Sequence, residues 1–125
     1  MKKVISTPKA PEAIGPYSQA IIKNGILYTS GQIAIDSNTN TLVLDNIRLE
    51  TKQVMLNLSE VLKASDMSFS DVLKCTIYLK DMNQYHEINE VYASFFDNTP
   101  PAREAVQVVR LPKDVNVEIS LIASK

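Results

Sequence analysis

Two charged side chains near the C-terminal end raise the chemical question. Pro100-Pro101-Ala102-Arg103 opens a strand, Arg110-Leu111-Pro112-Lys113-Asp114 turns it, and Val115-Asn116-Val117-Glu118-Ile119 returns. A guanidinium can clamp a small carboxylate through two charge-assisted hydrogen bonds of about 1.5–3 kcal/mol each. A glutamate can place a water and take its proton. Together they could bind a small anion and move a proton beside it. Side chains alternate along a strand, and here Val106 and Val108 hold even positions whereas Val117, Ile119 and Leu121 hold odd ones. If both apolar sets face one core, Arg103, Ala105 and Gln107 share the other face with Asn116, Glu118 and Ser120. The sequence therefore predicts a hairpin in which Arg103 and Glu118 form a direct or diagonal cross-strand pair. A salt bridge that only fixes the hairpin is the competing reading, since most ion pairs carry no chemistry.

The elements that must carry these residues follow from periodicity. After an edge segment at Lys3-Ser6, three prolines and Gly15 between Pro8 and Pro16 predict a loop, which Tyr17 ends. Ser18 to Lys23 and Ile26 to Ser30 flank Asn24-Gly25, a pair suited to a two-residue type I′ hairpin. Gly31 follows Thr29-Ser30 directly, where the lack of a Cβ can leave a backbone amide open to a ligand. From Asn46 to Ala64, Ile47, Thr51, Val54, Met55, Leu58, Val61 and Leu62 recur at three- and four-residue steps, the stripe of an amphipathic helix. Asp45 is the expected cap and Ser65-Asp66 the expected end. A strand, Val72 to Leu79, comes next. Asp81 or Asn83 then caps a second helix with Tyr85, Ile88, Tyr92, Phe95 and Phe96 on one face, ended by Asn98 and Pro100. With the terminal hairpin, this order predicts an α+β fold, two helices on one face of a mixed six-stranded sheet.

Composition narrows the function. A chain of 125 residues fits a single domain. With 45% hydrophobic and 22% charged residues it can build a core without staples. Lone Cys75 has no disulfide partner, and no apolar run has the length of a signal peptide or a membrane span, so a cytoplasmic location is expected. Thirteen Lys and Arg against fourteen Asp and Glu give a net charge of −1, and no basic block marks a nucleic-acid binder. Phosphate-loop, dinucleotide, nucleophile-elbow and zinc-protease motifs are absent. His86, the only histidine, is expected at the surface and Cys75 in a buried strand, so neither is read as catalytic, and no metal site is expected.

Ile14-Gly15-Pro16-Tyr17-Ser18-Gln19, Thr29-Ser30-Gly31-Gln32, Pro101-Ala102-Arg103 and Arg110-Leu111-Pro112-Lys113-Asp114-Val115 through Glu118-Ile119 together resemble the RidA/YjgF family of reactive-intermediate deaminases. The motifs run in order over nearly the whole chain. The resemblance implies a chorismate-mutase-like fold, a homotrimer whose sheets face a central barrel, and ligand clefts between subunits. It implies hydrolysis of 2-imino acids, formed from enamines such as 2-aminoacrylate, to 2-keto acids and ammonia without a cofactor. Arg103 would hold the substrate carboxylate, Glu118 would position or activate water, and Gly31 would offer its amide. Tyr17, Ser30, Asn89 and Ala105 would line the cleft. Glu104 and Ala105 stand where relatives carry a small residue and then a cysteine, which argues against a covalent thiol mechanism here. Val109 also departs from the pattern, and nothing in the sequence explains it. Alternatives are a trimeric 2-keto-acid-binding regulatory module and, disfavoured by the charge, an RNA-acting translation inhibitor.

Overall fold

The computed structural model describes residues 1–125. Strand β1 (Lys3–Ile5) pairs with β2 (Ala20–Lys23), which turns through Asn24 and Gly25 into β3 (Ile26–Thr29). Both turn residues have positive φ, 53° and 77°, as a type I′ turn requires. A small hairpin that the sequence did not predict, β4 (Ile35–Asp36) with β5 (Thr41–Leu42), follows before helix α1 (Ile47–Ala64). The cap of α1 is Asn46 rather than Asp45: its side chain accepts from the Leu49 amide at 2.9 Å. Ser65 closes the helix, and Asp66 takes the left-handed conformation in place of a glycine.

The long strand β6 (Val72–Leu79) spans the residues expected of it. After a one-turn 3-10 segment capped by Asp81 comes α2 (Tyr85–Ala93), which ends before the predicted stop at Asn98 and Pro100. Strands β7 (Ala102–Gln107) and β8 (Val117–Ser124) complete a mixed sheet of order β1-β2-β3-β8-β6-β7. The expected architecture, two helices and a mixed six-stranded sheet, is present.

The terminal hairpin is not. Strand β7 lies parallel to β6, as the return of a β-α-β crossover through α2, and β8 lies antiparallel on the other side of β6. The residues of β6 therefore separate the two strands read as neighbours. The assumed parity of β7 fails with the pairing. Arg103 pairs with Cys75 and Ala105 with Ile77, on the helix-covered face, whereas Val106 is 44% exposed on the open one.

Helix α1 covers the sheet with Ile47, Thr51, Val54, Met55, Leu58, Val61 and Leu62, against Val117, Ile119, Leu121 and Ala123 of β8. Two polar residues share that buried side. Asn57 donates to the carbonyls of Ile33 and Ile35, tying α1 to the segment after Gly31. Fully buried Glu50 accepts from the Asn116 amide and side chain, both at 2.7 Å, and from the Val117 amide at 3.1 Å. Three donors offset the cost of burying this carboxylate and fix where β8 begins.

Candidate active site

Glu118 lies on the open face of the sheet, opposite Tyr78 of β6. Its approach to Gly31 follows from a bridge between Gln32 and Ile119, whose backbones exchange hydrogen bonds of 2.8 and 3.1 Å. A Cβ on Gly31 would sit 1.9 Å from Glu118 Oε2 and 2.7 Å from Cδ. Glycine is thus demanded here by a side chain rather than by a turn. The Gly31 amide has no hydrogen-bond partner, although its neighbours Ser30 and Gln32 both donate to backbone carbonyls. We expect Gly31→Ala to displace the Glu118 carboxylate with the thermal midpoint little changed and, if the hydrolysis that the sequence resemblance implies takes place, to lower turnover about 10- to 100-fold, checked by kinetics alongside a melting curve.

The Glu118 carboxylate meets no cation and no hydrogen-bond donor, and its burial pushes its pKa above the ordinary carboxylate range. It lines a cavity of about 520 Å³ with Tyr17, Ser30, Gly31, Gln32, Ile33, Lys113 and the loop from Pro11 to Ile14. Tyr17 is 53% exposed at the rim. Its loop is stitched down by buried Gln19, which accepts from the Thr7 amide at 2.7 Å and donates to the carbonyls of Thr7, Ala10 and Pro11. The Ser30 hydroxyl donates to the Ser18 carbonyl at 2.6 Å, which joins the segment before β2 to the one after β3. Lys113 and Asp114 both adopt left-handed backbone, a strained turn that brings Lys113 to the cavity wall. A larger cavity of about 720 Å³ shares Tyr17 and Gln19 with the first, but it lacks both Glu118 and Gly31, so its size does not make it the chemical site.

Arg103 lies elsewhere. It is half-buried on the helix-covered face of β7, two strands from β8. Register puts it level with Leu121, three residues along from Glu118. At strand spacings this is roughly 10 Å across and roughly 10 Å along, through the sheet. Its Nη1 donates to Asn89 Oδ1 at 2.7 Å and its Nη2 to the Tyr85 hydroxyl at 2.6 Å. The guanidinium carbon lies 5.0 Å from the Tyr92 ring centre and 5.5 Å from that of Tyr85. All of these are neutral groups, and Arg103 enters no ion pair, unlike Arg48, Lys63, Lys74 and Lys80.

Beneath the guanidinium, burial holds the Cys75 thiol and the Tyr92 phenol protonated. The Tyr92 hydroxyl is sealed from solvent and lacks a partner in hydrogen-bond geometry, with the Cys75 thiol beside it. Ala105 packs on the same face as Arg103. His86 is at the surface against Glu90 at 2.5 Å and makes no hydrogen bond to either group.

One chain thus gathers Tyr17, Ser30, Gly31 and Glu118 at one place and Asn89, Arg103 and Ala105 at another. Tyr85, Tyr92 and Lys113 belong beside them and were not among the candidates. In the sequence Tyr85 and Tyr92 fall on the apolar face of α2, and the four-residue step from Tyr85 to Asn89 is the available clue.

This fold, with a glycine pressed against an unpaired glutamate and an arginine held by neutral groups, is that of an established class. The family model described as endoribonuclease L-PSP matches residues 7–125. A RutC family protein of Pyrococcus horikoshii is 51% identical over 125 residues, covering 100% of this chain and 99% of the relative. The 2-iminobutanoate/2-iminopropanoate deaminase of Mus musculus is 46% identical over 123 residues, covering 98% and 91%. A solved structure from Yersinia pestis, a protein of unknown function of the conserved Rid family, superposes with a TM-score of 0.97 at 45% identity over the whole of both chains. The chain belongs to the RidA/YjgF family, whose model carries the L-PSP description.

Proposed function

We propose that the protein is an imine deaminase that converts 2-imino acids of the 2-iminopropanoate and 2-iminobutanoate type, with their enamine tautomers such as 2-aminoacrylate, to 2-keto acids and ammonia. The observation that carries this reading is the state of Arg103: a half-buried guanidinium without a carboxylate, oriented by Asn89, Tyr85 and Tyr92. Such an arginine calls for an anion from outside the chain. The substrates in the name of the mouse relative supply a matching one, a small carboxylate beside a carbon–nitrogen double bond.

In this mechanism the protonated imine is the electrophile. Water attacks its carbon while Glu118 takes one of the water's protons, giving a carbinolamine. A proton then passes to the amino nitrogen, the C–N bond breaks with its electron pair leaving on ammonia, and the hydroxyl becomes the keto group. The unpartnered Gly31 amide offers a donor to an oxygen in the cleft. Because Arg103 and Glu118 occupy opposite faces of the sheet, we place the working site between subunits of a homotrimer. One subunit contributes the Arg103 group and its neighbour the Glu118 group.

The test is release of ammonia and 2-keto acid from imines generated in the assay by an amino-acid oxidase acting on alanine or 2-aminobutyrate. A rate above spontaneous hydrolysis is expected. A rate equal to the spontaneous one, with tight 2-keto-acid binding, would leave the regulatory module as the reading. The description of the family model raises cleavage of RNA, but a net charge of −1 gives the phosphate backbone little to hold.

A further inference from the structure

We propose that Tyr85 is a binding residue that donates a hydrogen bond from its hydroxyl to the substrate carboxylate held by Arg103, an inference that rests on the deaminase reading above. A guanidinium can only donate, so in the 2.6 Å contact between Arg103 Nη2 and the Tyr85 hydroxyl the phenol oxygen is the acceptor. The phenol proton is then free, and no group of the protein accepts it. Asn89 is committed in the same sense: its Oδ1 accepts from Arg103 Nη1, which leaves both amide hydrogens as donors. Two of the five guanidinium N–H groups are used in these contacts, and three remain.

The oxygens of Tyr85 and Asn89 each already accept a bond from Arg103, so what this group offers outward is mainly N–H and O–H donors. That is complementary to a carboxylate, whose two oxygens accept about four hydrogen bonds. It suits a neutral amide or an alcohol poorly. Tyr85 begins α2 immediately after the 3-10 turn capped by Asp81, and its ring is partly buried against the core, so the hydroxyl is presented with little freedom to lose. The aromatic body of the residue is structural, and the hydroxyl is the recognising part. This also answers why a core-facing helix position carries tyrosine where phenylalanine would pack as well.

Tyr85→Phe keeps the ring and its packing, so the fold is expected to survive. The experiment compares the parent, Tyr85→Phe and Arg103→Ala for imine turnover and for pyruvate binding by calorimetry. For Tyr85→Phe, KM for the imine and Kd for pyruvate should both rise about 5–10-fold, with kcat within about twofold. Values of KM and Kd equal to the parent's, or a fall in kcat at unchanged KM, would overturn the assignment. The two readings fail separately. A parent that neither turns over imine nor binds pyruvate removes the deaminase reading. An active parent with a defective Arg103→Ala and a parent-like Tyr85→Phe removes only the role of Tyr85.

Discussion

Replacing Arg103 by alanine is expected to lower kcat/KM toward 2-imino acids by about 10²–10³-fold while the protein stays folded and assembled. The lost group is the charge that Asn89 and Tyr85 orient, and no nearby cation replaces it: Lys74, the nearest basic residue in register, faces the other side and pairs with Glu104 at 2.8 Å. Arg103→Lys is expected to recover little. An ammonium is a point donor that cannot bond Asn89 and Tyr85 and still offer a fork to a carboxylate. Since Arg103 makes no ion pair, its removal strands no buried carboxylate, which separates the effect from stability. Kinetics with a solution mass measurement decide the matter. An unfolded or dissociated Arg103→Ala would assign the residue to structure instead.

Glu118→Gln should abolish most turnover, by about 10²–10⁴-fold, with ligand affinity largely kept. The amide preserves the shape of the side chain over Gly31 but cannot take a proton from water. The pH profile gives the same test with a sign. Burial favours the neutral carboxyl and raises its pKa, so the fraction able to act as a base begins to fall at a higher pH than for an exposed glutamate. The acid limb of kcat/KM should therefore lie above the ordinary carboxylate range and vanish in Glu118→Gln. The raised pKa also means that the folded state holds this proton more tightly than the unfolded chain. Ionising Glu118 then costs folding stability, a cost incurred as pH rises through the raised pKa and absent below the unfolded value. Glu118→Gln should leave neutral-pH stability unchanged or slightly improved. Unchanged ammonia release in this variant would remove Glu118 from the chemistry.

The elements were legible where local chemistry decides them. Asn24-Gly25 announced a turn that only positive φ satisfies, and the three- and four-residue apolar steps of α1 announced its buried face. The pairing of β7 was not legible, because it is settled by competition for a partner outside the local sequence. The edges of β6 accept both terminal strands, and α2 delivers β7 to one of them in parallel. The parity argument failed through Ala105 and Val106: the smaller side chain went to the core beside α2 and the larger one to the open face. Of the candidate residues, Gly31 and Glu118 do meet, and Asn89 does reach Arg103, but the expected Arg103 and Glu118 pair does not form within one chain. Glu50 could not be anticipated from the chain at all, since a glutamate on a helix reads as solvated until its three donors are seen.

The separation of the two groups by a whole sheet has an evolutionary corollary. The wall around Tyr17, built from loop residues such as Pro11, Ile14 and Ile33, shares no hydrogen bond with the Asn89, Arg103 and Tyr85 group on the far side. Substitutions that widen or narrow that wall can therefore accumulate without disturbing how the arginine is held. On the proposed deaminase reading, a lineage could change the size of molecule it accepts while its grip on the acid stays the same, which would make selectivity and anchoring separately adjustable traits.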